Sequence, residues 1–323
     1  MISLGRFSVR TSAVLEAFFV TLLWSTSWIL IKFGLKDIPA ITFAGLRFTI
    51  AFICLAPFVL RRRNFESMRT WNGSLWRRLI LLGFTFVFIT SGAQFLALSY
   101  MPAVTTNMIM SFTIFIVSFL GIILLKESPT WLHWTGLGLY LVGVVLYFYP
   151  MVLPRNEITG MTIMGVCIFA NAISSVLGRS INREKVVEPI LVTVITVGIG
   201  GAMLLITGIL VQGLPKISLM SIGIVVWLGM VNSAFAYTLW NHSMRALTAA
   251  ESSLINSAML AQIAVLAWLF LGERPGERAL IGLVFVAVGI FIVQLKPAAP
   301  KIIEDTQPVI SATLEPENKT LLP

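Results

Sequence analysis

The sequence predicts an all-α polytopic membrane protein with ten transmembrane helices in two inverted five-helix repeats. Three observations carry that fold class: composition, the spacing of apolar runs, and self-similarity between the two halves of the chain. Of 323 residues, 57% are hydrophobic and only 11% charged, against about 25% charged in soluble proteins. Mean hydropathy is +0.92. A soluble globule cannot hide that much apolar surface. A soluble enzyme, a disordered chain and a disulfide scaffold are thereby excluded. The formal net charge of +9 does not point to nucleic acid, because the charges fall in short gaps between apolar runs, as topology determinants do.

A spanning helix needs roughly 20 apolar residues. Ten segments meet or approach that length: Val14–Leu35, Ala40–Leu60, Leu79–Ser99, Ala103–Leu125, Trp131–Tyr149, Gly160–Arg179, Ile190–Val211, Leu219–His242, Ala249–Leu271 and Ala279–Leu295. Residues 1–13 are basic and lead into the first segment with no cleavage motif, so they read as a cytoplasmic N-terminus before a retained helix. Residues 14–149 form the first repeat and 160–295 the second, joined by an external linker at 150–159. The tail 296–323 is polar and proline-containing, and reads as a disordered cytoplasmic segment.

Orientation follows from Lys and Arg. With the N-terminus inside, sixteen of the 23 basic residues fall on the inner side and five outside, with Lys32 and Arg47 inside helices. The run Arg61-Arg62-Arg63 pins the second connection to the cytoplasm. Both termini are therefore expected in the cytoplasm and the protein in a bacterial inner membrane.

The repeat is the most informative signal. A shift of 146 residues places Glu127 on Glu273, Pro129 on Pro275, Gly136 on Gly282 and Gly143 on Gly289. Hydropathy alone does not produce those Glu, Pro and Gly coincidences. A shift of 147 places Trp24, Trp28 and Lys32 on Asn171, Ser175 and Arg179, each trio at i, i+4, i+8 and so on one helical stripe. Five helices per copy is an odd number, so the copies traverse the membrane in opposite directions. Inverted repeats are a common plan of secondary transporters, with the substrate site near the midplane between them.

At these residues the chain resembles the EamA family of the drug/metabolite transporter superfamily. The resemblance rests on Trp24-Ser25 with Lys32, Pro39 with Arg47, Ala97, Tyr100 and Ala103, and Leu125-Lys126-Glu127. It recurs in Tyr237, Trp240 and Ala249, then Leu271-Gly272-Glu273-Arg274-Pro275, Gly282 and Gly289. It runs from Val14 to Leu295. It implies ten helices, two repeats and export of small metabolites across a bacterial inner membrane.

Polar side chains in hydrocarbon are costly unless paired, so they face protein or a watery cavity. The substrate-site candidates are Trp24, Ser25, Trp28, Asn107, Ser111, Asn171, Ser175, Asn232, Tyr237 and Asn256. For each polar one the alternative is an interhelical hydrogen bond worth about 0.6 kcal/mol; for Trp28 it is a lipid-interface anchor. Lys32 and Arg179 read as helix-end charges, with gating as the alternative. Arg47 is the odd charge, with no charged mate in the seventh helix. It either snorkels or caps a helix end, or it gates or steers substrate. Glu127 and Glu273 each precede a proline and are expected to cap the fifth and tenth helices. Thr248 to Glu251 reads as a capping box, and His242 as an interface residue.

No midplane carboxylate, HExxH, Walker loop or GxSxG is present. No enzyme activity, cofactor or metal is expected, and Cys54 and Cys167 read as buried small hydrophobes. The function read from these features is a secondary transporter moving a small amphipathic metabolite, an amino acid or derivative, outward by alternating access. An intramembrane enzyme, a lipid-handling protein and a drug or amine efflux carrier are the alternatives. The partners expected are a small-molecule substrate, the lipid bilayer and a proton as candidate coupling ion, with no nucleic acid, in a monomer or homodimer.

Overall fold

The computed structural model describes residues 9–59, 66, 68–113, 115–116, 130–149, 155–184, 186–247 and 249–295. The expected features at Arg61–Arg63, Glu127 and Thr248, together with the tail, lie outside the described residues. Ten helices follow one another: α1 Val9–Gly34, α2 Ala40–Val59, α3 Gly73–Tyr100, α4 Ala103–Met110, α5 Trp131–Phe148, α6 Arg155–Glu184, α7 Pro189–Gln212, α8 Leu219–Ser243, α9 Ala249–Leu271 and α10 Glu277–Leu295. Only the start of the fourth predicted helix is described. α3 begins six residues earlier than the apolar run because Asn72 caps it, accepting from the Leu75 amide. α6 begins at Arg155 rather than Gly160.

Among the described residues, six helices are long and apolar enough to cross a membrane, with mean hydropathy from 1.8 to 2.4. Around them, large apolar side chains such as Phe169, Ile206, Trp227, Val265 and Val284 are exposed. An apolar girdle of that kind is stable against lipid, not water. This is a multi-pass membrane protein.

Glycines set the helix contacts. A Cβ at Gly136 would stand 2.8 Å from the Gly289 carbonyl oxygen, and one at Gly143 would stand 2.6 Å from that of Gly282. The repeat relates Gly136 to Gly282 and Gly143 to Gly289, so the two contacts exchange under it. They also fix α5 and α10 as antiparallel. α2 and α7 approach in the same way, with Gly208 against the Thr42 backbone and Gly45 against that of Leu205. Without a hydrophobic force between helices in lipid, such backbone approach supplies the packing.

α3 and α8 share a feature the sequence reading did not anticipate. Each widens into a π-helical stretch, at Gly83–Ser91 and Met230–Phe235. Three hydroxyls reach back five residues within or beside these stretches: Thr90 to Thr85, Ser91 to Phe86 and Ser233 to Leu228. π-bulges frequently mark functional sites. These two start 147 residues apart, the repeat interval.

Glu273 corrects the capping expectation. Gly272 ends α9 with φ 68°, the left-handed conformation glycine supplies at helix ends. The chain then turns so that the Glu273 carboxylate accepts from the Ala103 and Val104 amides at 2.9 and 3.3 Å, capping α4. The acid in the first turn of α10 is Glu277.

Candidate functional site

A cavity of about 350 Å³ lies between the two halves, lined by α1, α3, α4, α6, α8 and α9 with contributions from α2, α7 and α10. Its deep part holds Trp28, Arg47, Phe95 and Asn107. From there the lining extends to the end of the bundle where α6 and α8 finish, through Asn182, Asn241 and Met244. Toward the opposite end, Ile31, Gly34, Met101 and Ala103 are buried and stand outside the lining.

One wall is aromatic. The Trp24 ring meets Tyr237 edge-on at 5.3 Å and Trp240 at 5.1 Å. Tyr237 also packs against Phe48 and Phe86. These contacts place an amphipathic surface on α1 and α8 facing the cavity.

The wide turn of α8 holds this wall in place. A π segment leaves carbonyls without their usual helical partners. The Asn232 carbonyl accepts from Trp24 Nε1 at 3.2 Å and from Arg47 Nη2 at 3.3 Å. Arg47 Nε donates to Ser233 Oγ at 2.7 Å. The Asn232 amide nitrogen donates to Leu23 O, Thr26 Oγ1 and Ser27 Oγ. The guanidinium of Arg47 lies 5.3 and 5.7 Å from the ring centres of Phe48 and Phe95. Arg47 is 4% exposed, so it does not snorkel to an interface.

Among the predicted site residues, Trp24, Trp28, Asn107, Ser111, Asn171, Ser175, Tyr237, Asn256 and Arg47 line the cavity. Trp28 is therefore not a lipid anchor. Asn171 Nδ2 donates to Thr113 Oγ1 at 3.2 Å, joining α6 to α4. Ser25 and Asn232 are displaced from the expectation. Ser25 is fully buried and donates to Gln262 Oε1 at 2.7 Å, fastening α1 to α9. Asn232, also fully buried, fastens α8 to α1. Lys32 lies outside the lining, half-buried, with Glu273 and Glu157 acting on it electrostatically. The side chain of Arg179 lies outside the described residues.

The sequence reading missed the α3 contribution of Thr90, Ser91 and Gln94, and missed Asn182 and Asn241 near the mouth. The Thr90-Ser91 pair in mid-helix was the available signal. Asn182 was hidden because α6 continues past Arg179. At 2.9 Å its Nδ2 donates to Asn241 Oδ1, and Asn241 Nδ2 donates to Thr193 Oγ1. An ion pair and a histidine–carboxylate hydrogen bond bridge helices at this end. Arg78 meets Glu184 through two bonds of 2.5 and 2.8 Å, and His242 Nδ1 stands 2.9 Å from Glu16 Oε2.

Comparison with known proteins agrees with this architecture. An uncharacterized transporter of Archaeoglobus fulgidus is 27% identical over 284 residues, covering 85% of this chain and 94% of that protein. The uncharacterized transporter YoaV of Bacillus subtilis is 22% identical, covering 84% and 93%. A S-adenosylmethionine/S-adenosylhomocysteine transporter of Chlamydia trachomatis is 27% identical over 135 residues, 42% of this chain and 40% of that protein. A solved structure, described only as the crystal structure of a protein, superposes with a TM-score of 0.67 at 20% identity, covering 88% of this chain and 98% of that one; that likeness concerns the fold. The EamA-like transporter family matches twice, over residues 11–149 and 158–295. The chain belongs to the EamA-like transporter family.

Proposed function

We propose that this protein carries a small amphipathic metabolite, an amino acid or a derivative of one, outward across the bacterial inner membrane by alternating access between its two halves. One observation carries the reading. The cavity joins an aromatic wall of Trp24, Tyr237 and Trp240 to amides at Asn107, Asn171 and Asn256, with no cluster of basic residues among the described residues lining it. Such a surface suits an apolar body with a polar head. It does not suit a multiply charged phosphate, which wants several Arg or Lys donors. The resemblance to a carrier of S-adenosylmethionine, itself an amino acid derivative, points the same way. In this reading both termini are cytoplasmic, so the open end of the cavity faces the cytoplasm and receives solute for export.

Purified protein in liposomes, screened with labelled amino acids, amines and nucleosides under imposed pH gradients, tests the substrate class and any proton coupling together. Amino acid movement that depends on the protein is the expected result. Movement of nucleosides alone refutes it. Orientation is tested by single cysteines at Arg69 and Asn156 in a Cys-free background. An impermeant thiol reagent on intact cells should label position 156 and spare position 69.

A further inference from the structure

Among the described lining residues only Arg47 carries a charge. Its partners among the described residues are neutral: the Ser233 hydroxyl, the Asn232 carbonyl, the faces of Phe48 and Phe95, and the neighbouring Tyr237 phenol. No carboxylate pairs with it among the described residues. Its Nη1 has no hydrogen-bond partner among the described residues, and Arg47 stands in the cavity lining. That nitrogen therefore opens onto the cavity.

A buried cation without a counter-charge is expensive. Substitution by a neutral residue would remove that cost, so stability of the fold does not by itself account for the charge. Holding the α8 turn does not require it. Two neutral donors could serve Ser233 and the Asn232 carbonyl. What a guanidinium adds is a planar fork that meets a carboxylate through two parallel bonds. The bonds to Ser233 and Asn232 occupy the Nε–Nη2 edge and fix the plane of that fork, leaving its end, Nη1 with the second hydrogen of Nη2, for a ligand.

We infer that Arg47 is the anchor for a carboxylate on the transported solute, and that the protein selects monocarboxylates over the matching amides and amines. This rests on the amino acid reading above and sharpens it. The carboxylate supplies the missing counter-charge when the solute binds. The apolar body then lies along Trp24 and Tyr237. An ammonium group on the same solute finds no acid among the described lining residues. It finds aromatic faces instead, which attract cations. The pseudo-symmetry supports a ligand role. A shift of 147 residues puts Val194 where Arg47 stands, so the fold of the second half is built without this charge.

The test uses matched sets in proteoliposomes containing the full chain. One set is tryptophan, tryptophanamide and tryptamine; the other is leucine, leucinamide and isoamylamine. The acids should move at least about tenfold faster than their amides and amines, the loss of one bidentate charge-assisted contact. Arg47→Lys keeps the charge but not the fork, and should raise the apparent KM for the acids by about tenfold with the melting temperature little changed. Equal movement of acids and amines by the wild type overturns the anchor while leaving the carrier reading intact. Unchanged acid transport in Arg47→Lys overturns it too. If no compound moves, the amino acid reading falls, and the anchor is judged by binding alone. The melting temperature of the solubilised wild type should then rise with benzoate and not with benzamide; equal response to both overturns the anchor.

Discussion

Trp24 of α1 and Arg47 of α2 donate to one and the same acceptor, the Asn232 carbonyl in the wide turn of α8, at 3.2 and 3.3 Å. An aromatic side chain and a cation are thereby set side by side on the cavity wall. In a regular helix that carbonyl would be engaged with the amide four residues on, and neither donor would have this anchor.

Trp24→Phe keeps a ring against Tyr237 and Trp240 but deletes the indole donor. A net hydrogen bond is worth about 0.5–1.5 kcal/mol. Transport should fall by about two- to tenfold, with the yield of folded protein maintained. Liposome uptake and size-exclusion profiles of the detergent-solubilised variant measure the two sides. Full activity would mean that the shared acceptor does not position the wall.

Gly143→Ala should be severely destabilising. The added methyl would stand 2.6 Å from the Gly282 carbonyl oxygen and equally close to the Val286 amide nitrogen. Backbone cannot rotate out of the way as a side chain can. Overpacking of this kind costs about 1–3 kcal/mol. A lowered melting temperature is expected, while Gly138→Ala, where a methyl meets nothing, should leave it unchanged.

Glu273→Ala removes the acceptor for two amides at the start of α4. Loss of a helix cap costs about 0.5–2 kcal/mol. Glu273→Gln retains an oxygen and should recover part of that loss. Thermal denaturation of the three proteins side by side gives the order wild type, Gln, Ala; a Gln variant as weak as Ala would indicate that charge is everything at this cap.

Asp37 joins the turn between α1 and α2 to the start of α8, accepting from Ser218 and Ser221 at 2.5 and 2.6 Å. Those hydroxyls hold its carboxyl below the ordinary carboxylate value. A depressed pKa means that the folded state favours the ionised form. Its stabilisation is therefore complete above the unfolded value and is lost as pH falls through the folded one. Melting temperatures of wild type and Asp37→Asn should differ at about pH 7 and converge toward about pH 3, near and below the ordinary Asp pKa. A constant gap across that range would remove ionisation from the contact.

Much of the architecture was written in local pattern. Apolar runs of the right length gave the helices, because in lipid a backbone must satisfy itself within the segment. The Gly136 and Gly143 pair, with its copy at Gly282 and Gly289, gave the repeat and proved to be the α5–α10 contact itself. The cavity was legible where a mid-helix polar residue had no other explanation, as at Asn107 and Asn171. It was not legible at Ser25 or Asn232, because a polar stripe does not reveal whether it faces a void or a neighbouring helix. Nor could hydropathy reveal the wide turns. They depend on hydroxyls reaching carbonyls five residues back, and Thr and Ser hold that position in many ordinary helices. Glu273 misled because sequence adjacency to Pro275 suggested a local role, whereas Gly272 redirected the chain to a helix far away in sequence.

At both glycine pairs the seam between α5 and α10 brings backbone against backbone, so in the alternating-access reading proposed above few rotamers would reorganise at those two points as one half turned against the other. Its two glycine contacts map onto each other, so a small rotation alters both alike. As a pivot in that reading, the seam would have no preference of its own between the two ends of the cavity. In the same reading, whatever tips the molecule toward one face would come from places where the copies differ. The sharpest of those is a lone arginine set opposite a valine.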